Sequence, residues 1–419
     1  MSSGRRKLCL ALVLLALGVG LVSANKKSVS ELDVYVKAAE RAWAGESLNE
    51  PGEVKPFTYP PPFALPFLPF VPLPQWSLRS VFFLVNAGSL AAVVVLLRRR
   101  LLPVMGQADP PAPRERWLWI LLLVLAGRSL ASPLSNQSHD LLVFLCVALG
   151  VEASCRGREL SAGLAFAVGA ACKATPGLFG LVLVWQRRWR AAGAMLAAIG
   201  LCFAVSELAI PREDGELRTR VWVDTYVRGQ GVGAPADADG AWSAWNALNQ
   251  NLAGSLYRLS RPAGDKPPGD VQVWEPSDSA LRALTVGAQL AVVLLLLWLV
   301  RPSRAAAEDE RARAWRRLGE GGAVVCAMLL LSPMSSKAHF CVLLLPLGYA
   351  LASWLYRGRD AWLGALLLAV LITGPLTTKG LLGNELGSVV LARGAVAWST
   401  LLALLATGRA LSLRDPQRT

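Results

Sequence analysis

The chain has 419 residues, 54% of them hydrophobic and only 17% charged, and the apolar residues run in long uninterrupted blocks. That composition excludes a soluble enzyme with one packed core and defines a polytopic membrane protein, because roughly 17 to 25 apolar residues cross the hydrocarbon layer as a helix. The net charge of +14 comes from 43 Lys and Arg against 29 Asp and Glu, spread as short clusters behind apolar segments. A nucleic-acid-binding surface would need one continuous basic stripe instead.

The first apolar run, residues 8–24, follows Arg5-Arg-Lys7 and ends in Val22-Ser-Ala24 like a cleavable signal. The many later spans favour a retained anchor. Next, Leu32, Tyr35, Val36, Ala39 and Trp43 recur at helical spacing, with Asp33, Lys37, Glu40 and Arg41 on the opposite stripe. This pattern predicts an amphipathic helix lying in the interface. Phe57-Thr-Tyr-Pro60 then makes a rigid turn, and residues 63–73 carry too many prolines for a regular span and read as re-entrant. Further spans are predicted at 78–97, 117–134, 138–155, 160–173, 174–186, 191–210, 281–300, 319–334, 339–356, 361–378 and 393–411, twelve with the first. Basic clusters flank residues 160–186 on both sides, so this stretch turns back near Lys173-Ala-Thr-Pro176, as two spans or a re-entrant hairpin.

The whole chain, 1–419, reads as one all-α membrane domain. Arg98-Arg-Arg100, Arg187-Arg-Trp-Arg190 and the basic residues from Arg301 to Arg317 belong in the cytoplasm, and the even span count puts both termini there. Two long outer stretches remain, a first loop at 25–77 and a second at 211–280 that carries Trp222, Trp242, Trp245, Trp274, Tyr226 and Tyr257. Such rings suit headgroups or sugar faces. Seven cysteines lie almost entirely within apolar runs and imply no disulfide framework. Ala-, Leu- and Arg-rich usage points to a bacterial plasma membrane.

Asp33 stands in the first outer loop, where a carboxylate in a partly dehydrated cleft can act as general base toward a sugar hydroxyl. Its alternative is an ordinary ion pair with Lys37, four residues on. Lys173 interrupts an apolar run, at a cost of about 2.5 to 3.5 kcal/mol unless paired or hydrated. It either meets a phosphate or snorkels at the apex of a hairpin. Ser332-Pro-Met-Ser-Ser-Lys-Ala-His339 groups a cation and an imidazole between two spans, either as an anion cradle or as a polar turn. The chain has only two histidines, His139 and His339, which without neighbouring acids make no metal site. No phosphate-binding glycine loop and no dinucleotide fingerprint occurs, so the energy for a reaction would come from a lipid-linked donor.

Asp33 with Tyr35, the Phe57-Thr-Tyr-Pro60 turn followed by Pro66 and Pro72, Gly163 with Lys173 and Pro176, Asn249-Gln-Asn251 with Ser255, and Ser332-Pro333 with His339 occur in an order that resembles glycosyltransferase family 87. The resemblance implies a GT-C fold, a polyprenyl-phosphate-mannose donor and a lipid or glycan hydroxyl as acceptor, with no resident cofactor. It implies Asp33 as general base, His339, Lys173 and Lys337 at the donor phosphate, and Tyr35, Tyr59, Asn249 and Gln250 along the sugar or acceptor cleft. Residues 229–270 carry no pattern that resembles the family. A transporter or lipid-carrier flippase, with Lys173 and His339 lining a pathway, is the competing class. It would call for paired inverted repeats, and none is evident.

Overall fold

The computed structural model describes residues 15, 17–26, 30–50, 52–53, 55–104, 112–228, 233, 242–264, 271–302 and 309–413. Every regular element among these residues is helical. Apolar runs take this form because a backbone removed from water has to satisfy its own N–H and C=O groups. Six helices are long and apolar enough to cross a membrane: Gln75–Arg100, Pro113–Asn136, Trp189–Ala209, Asp278–Leu299, His339–Tyr356 and Ala395–Ser412. Glu159–Cys172, Thr175–Trp185 and Ala361–Thr377 are shorter apolar helices.

Each span predicted from residue 78 onward coincides with a helix, yet only these six among the described residues meet the length and apolarity of a crossing. Asp140–Cys155 and Glu159–Cys172 have 16 and 14 residues. At 1.5 Å per residue these are about 24 and 21 Å long, short of a layer of roughly 30 Å. Glu310–Leu331 begins inside the basic stretch and carries Arg316, Arg317 and Glu320 in its first half. The first predicted span is described only in part, with residues 17–26 helical.

Glu310–Leu331 is the central helix, buried without interruption from Leu318 to Leu330. A helix apolar all round has no solvent face and belongs inside a bundle. Close approach depends on small residues. Gly163 in Glu159–Cys172 packs so tightly on Trp189–Ala209 that an added Cβ would stand 2.3 Å from the Ala191 carbonyl oxygen. Such small-residue contacts substitute for the hydrophobic driving force that lipid does not provide.

The two ends of the bundle differ. At one end Glu152 meets Arg100 and Arg156 at 2.5 and 2.6 Å, and Glu159 meets Arg188 at 2.8 Å. There too Glu320 meets Arg316 and Arg317 at 2.9 Å each. The other end of the Glu152 helix begins at Asp140, about 18 Å away by helical rise. At that end lies the amphipathic helix Glu31–Trp43, whose buried Leu32, Tyr35, Ala39 and Ala42 pack on Phe57, Phe63 and Phe67. Trp43, predicted on the apolar stripe, is exposed. The proline-rich segment does not cross and is not regular α-helix: Pro61–Phe70 forms a 3-10 helix, since Pro66 and Pro69 lack the N–H an α ladder needs.

Candidate active site

Tyr35 on the amphipathic helix is fully buried, and its hydroxyl lies 2.8 Å from Nδ1 of His139, itself fully buried. Around the imidazole stand Phe63 and Tyr59, with ring centroids at 4.2 and 4.6 Å. Next in sequence to His139 stands the carboxylate of Asp140. Asp140 receives Lys173 Nζ at 2.7 Å on one oxygen and the Ser138 hydroxyl at 2.8 Å on the other. His339 Nε2 lies 3.8 Å from the first of those oxygens. His339 Nδ1 lies 3.1 Å from the Ser336 N–H.

Local sequence explains the placement. Glu159–Cys172 ends at Lys173, whose extended backbone (φ −156°, ψ 124°) turns the chain before the 3-10 turn Thr175–Gly177. The turn-back predicted at this point is present, and a buried ion pair replaces both snorkelling and a free cation. Between Pro113–Asn136 and Asp140–Cys155, Gln137 takes a left-handed φ of +52° and donates to the Arg79 carbonyl at 2.9 Å, fixing where His139 and Asp140 project.

Asp33 is held elsewhere. Its carboxylate accepts the Ser30 N–H at 2.6 Å, Arg79 at 3.1 Å and Gln75 at 3.0 Å. The first contact is the reciprocal half of a capping box at the helix start. Burial pushes this carboxyl up, but the Ser30 N–H, Arg79 and Gln75 outweigh it and hold it below the usual carboxylate range. Lys37, the expected partner, pairs instead with Glu53 at 2.6 Å. Glu31 sits two residues earlier, roughly 200° around the helix, on the stripe that carries Tyr35 one turn on. One of its oxygens meets Lys55 at 2.9 Å. Burial and then neighbouring charge, Glu31 and Asp140 included, push the Tyr35 and Tyr59 hydroxyls well above their ordinary value. Both phenols therefore stay protonated between Glu31 and Asp140, and can donate hydrogen bonds.

Asn249 and Gln250 do not line this cleft. Asn249 is buried and donates to the Pro333 carbonyl at 3.2 Å while accepting the Ser335 N–H at 3.0 Å. Gln250 donates to the Leu391 carbonyl at 2.7 Å and accepts the Val396 N–H at 3.1 Å. Together they tie down the Ser332–Ser335 turn that leads to Lys337 and His339. Lys337 is half-buried, and its pKa is lowered first by burial and then by the charges of Arg128 and Lys379. Lys337 lies two residues before His339, whose ring faces the Asp140–Lys173 pair.

Neither Asp140 nor Arg128 follows from periodicity, although a lysine inside an apolar run calls for a counter-ion, and Asp140 opens a neighbouring run. Among the described residues no group of three or more His, Cys, Asp or Glu side chains is arranged to hold a metal ion.

An apolar helical bundle with a buried cluster of Tyr35, Tyr59, His139, Asp140, Lys173 and His339 at one end defines an integral-membrane protein. The chain belongs to glycosyltransferase family 87, whose model matches residues 57–333. That stretch includes Tyr59, His139, Asp140, Lys173 and Asn249, while Glu31 and His339 lie outside it. The chain is similar to the polyprenol-phosphate-mannose-dependent alpha-(1-2)-phosphatidylinositol mannoside mannosyltransferase of Mycobacterium tuberculosis, at 26% identity over 99% of this chain and 94% of that one. Its counterpart from Mycolicibacterium smegmatis is 28% identical over 83% of this chain and 76% of that protein. A pentamannoside mannosyltransferase of the same organism is 26% identical over 80% of this chain and 71% of that protein. No solved structure gives a significant match.

Proposed function

We propose that this membrane glycosyltransferase moves a mannosyl unit from a polyprenyl phosphate to a hydroxyl of a lipid-linked mannoside, with Glu31 rather than Asp33 as general base. Support comes from the site itself: Glu31, on the Tyr35 face, and the Asp140–Lys173 pair with His339 beside it lie on either side of the Tyr35 and Tyr59 hydroxyls. Glu31 takes the acceptor proton as that oxygen attacks the anomeric carbon. The bond from that carbon to the phosphate oxygen breaks, and polyprenyl phosphate leaves with the electron pair. In-line attack inverts the anomeric centre. Lys337 and the imidazole of His339 stabilise the leaving phosphate. Lys173, neutralised by Asp140, holds the floor of the site, and Tyr35 and Tyr59 form its walls. No resident cofactor is needed, since the donor's phosphate linkage supplies the driving force.

The ion-paired basic end is the cytoplasmic one on this reading. The cleft then opens outside the plasma membrane, with twelve membrane segments, some of them short, and both termini inside. Purified protein supplied with labelled polyprenyl-phosphate-mannose and a lipid mannoside should transfer label, and proton NMR of the product should show an inverted anomeric centre. Absence of transfer to any mannoside would sink the assignment.

A further inference from the structure

Arg258, on the short helix Leu252–Ser260 of the second outer loop, is only 1% exposed. A guanidinium has five N–H donors in a rigid fork, and here all of them are used. Nε donates to the Ala392 carbonyl at 2.7 Å, and Nη1 to the Ala244 and Asn246 carbonyls at 3.2 and 3.3 Å. Nη2 donates to the Asn249 carbonyl at 2.9 Å and the Ser255 hydroxyl at 3.5 Å. Burial draws the pKa of Arg258 down to about 10, so it keeps its charge at neutral pH. A cation bonded in this way has no donor left for a ligand, and its work is internal. It gathers residues 244–249, which are turns rather than helix or strand, onto its own helix and onto the end of Asn384–Ala392. Gly394 closes that junction: its φ of +82° is left-handed, and an added Cβ would stand 2.7 Å from Ser255 Oγ.

The gathered loop in turn holds the segment before His339. The Gln250 N–H donates to the Ser335 carbonyl at 2.8 Å, and the Asn251 amide donates to the Ser332 and Pro333 carbonyls at 2.9 and 2.5 Å. With the Asn249 contacts to Pro333 and Ser335, five hydrogen bonds join residues 249–251 to residues 332–335. Lys337 stands two residues further on, and His339 four. We propose that Arg258 is a positioning residue for the donor half of the reaction: it fixes residues 244–249, these fix Ser332–Ser335, and that turn sets where Lys337 and His339 meet the phosphate. The proposal rests on the transferase reading above and extends it to a side chain that touches no substrate.

The test uses Arg258→Lys and Asn251→Ser in the full chain in lipid discs. Lysine keeps the charge but lacks the fork that reaches several carbonyls at once. Asn251→Ser keeps an acceptor for the Gly254 N–H at the helix start and removes both donors to the turn, so it serves if Arg258→Lys fails to fold. Each variant should lower kcat/KM for the lipid donor about 10- to 100-fold, while KM for the mannoside acceptor stays within about twofold of wild type. The double variant should be little worse than the poorer single one, because both act through one turn. Losses that multiply, an acceptor KM that rises as far as the donor value falls, or a normal donor kcat/KM in the folded variants would overturn the proposal. Hydrogen exchange gives a reading that needs no transfer: amides of residues 332–339 should exchange at least about tenfold faster in both variants, with Asp140–Cys155 unchanged. Faster exchange confined to that turn supports the link even if no sugar moves, which separates it from the transferase reading. Unchanged exchange there, or exchange raised equally throughout, overturns it.

Discussion

The two ends of the bundle use charge in opposite ways. At the basic end Glu152, Glu159 and Glu320 are paired with arginines, Glu152 and Glu320 with two each. At the other end the pairing is less complete: Asp140 meets Lys173 and Asp33 meets Arg79, but Lys337 has no ion pair among the described residues and Glu31 gives only one oxygen to Lys55. Matched charge orients a helix and fixes its depth, while unmatched charge near a membrane surface is a standing cost that a ligand can offset.

The largest effect should come from the buried Asp140–Lys173 pair. Asp140→Asn or Lys173→Met alone leaves an uncompensated buried charge and should cost about 3 to 5 kcal/mol, read as a lower unfolding temperature in detergent. The double variant should be less damaged than the sum of the two, and strict additivity would break the claim that the two charges act together. Next is Lys337→Met, which removes one charge-assisted contact to the donor phosphate. It should lower kcat/KM for the lipid donor by roughly 10- to 100-fold, with little change in the unfolding temperature.

A smaller effect is expected at Asp33. Asp33→Asn should reduce stability by about 1 kcal/mol through the cap and the Arg79 pair. Because the folded carboxyl is held below its unfolded value, the wild type's advantage over Asp33→Asn is fully present above the unfolded pKa and disappears as pH falls through the folded one. An advantage that grew on acidification would contradict the contacts described. The smallest change is expected at the matched end. Asp360→Asn loses a largely exposed pair with Arg409, should cost less than about 1 kcal/mol, and should leave transfer unchanged.

The helical membrane class, the amphipathic helix and the turn-back at Lys173 were legible in the sequence because each depends on local periodicity or on a charge in an apolar run. Span number was less legible, since a helix buried inside a bundle and one crossing lipid share the same composition. Glu159–Cys172 shows this, being apolar but only 14 residues long. The site was legible in part. Tyr35, Tyr59, Lys173 and His339 do converge, but Asn249 and Gln250 spend their polar atoms on backbone groups of distant turns, which no local pattern records. The choice between Glu31 and Asp33 depends on helical phase relative to Tyr35. Both carboxylates satisfy a composition-level reading, and only one shares the stripe that meets His139.

Glu31→Gln and Asp33→Asn, assayed side by side for mannosyl transfer with donor binding measured on the same preparations, test that choice most directly. The account predicts a kcat lowered by about 10²- to 10⁴-fold for Glu31→Gln with donor affinity retained, and near-normal turnover for folded Asp33→Asn. The reverse pattern, with Glu31→Gln active and Asp33→Asn silent though folded, would contradict it.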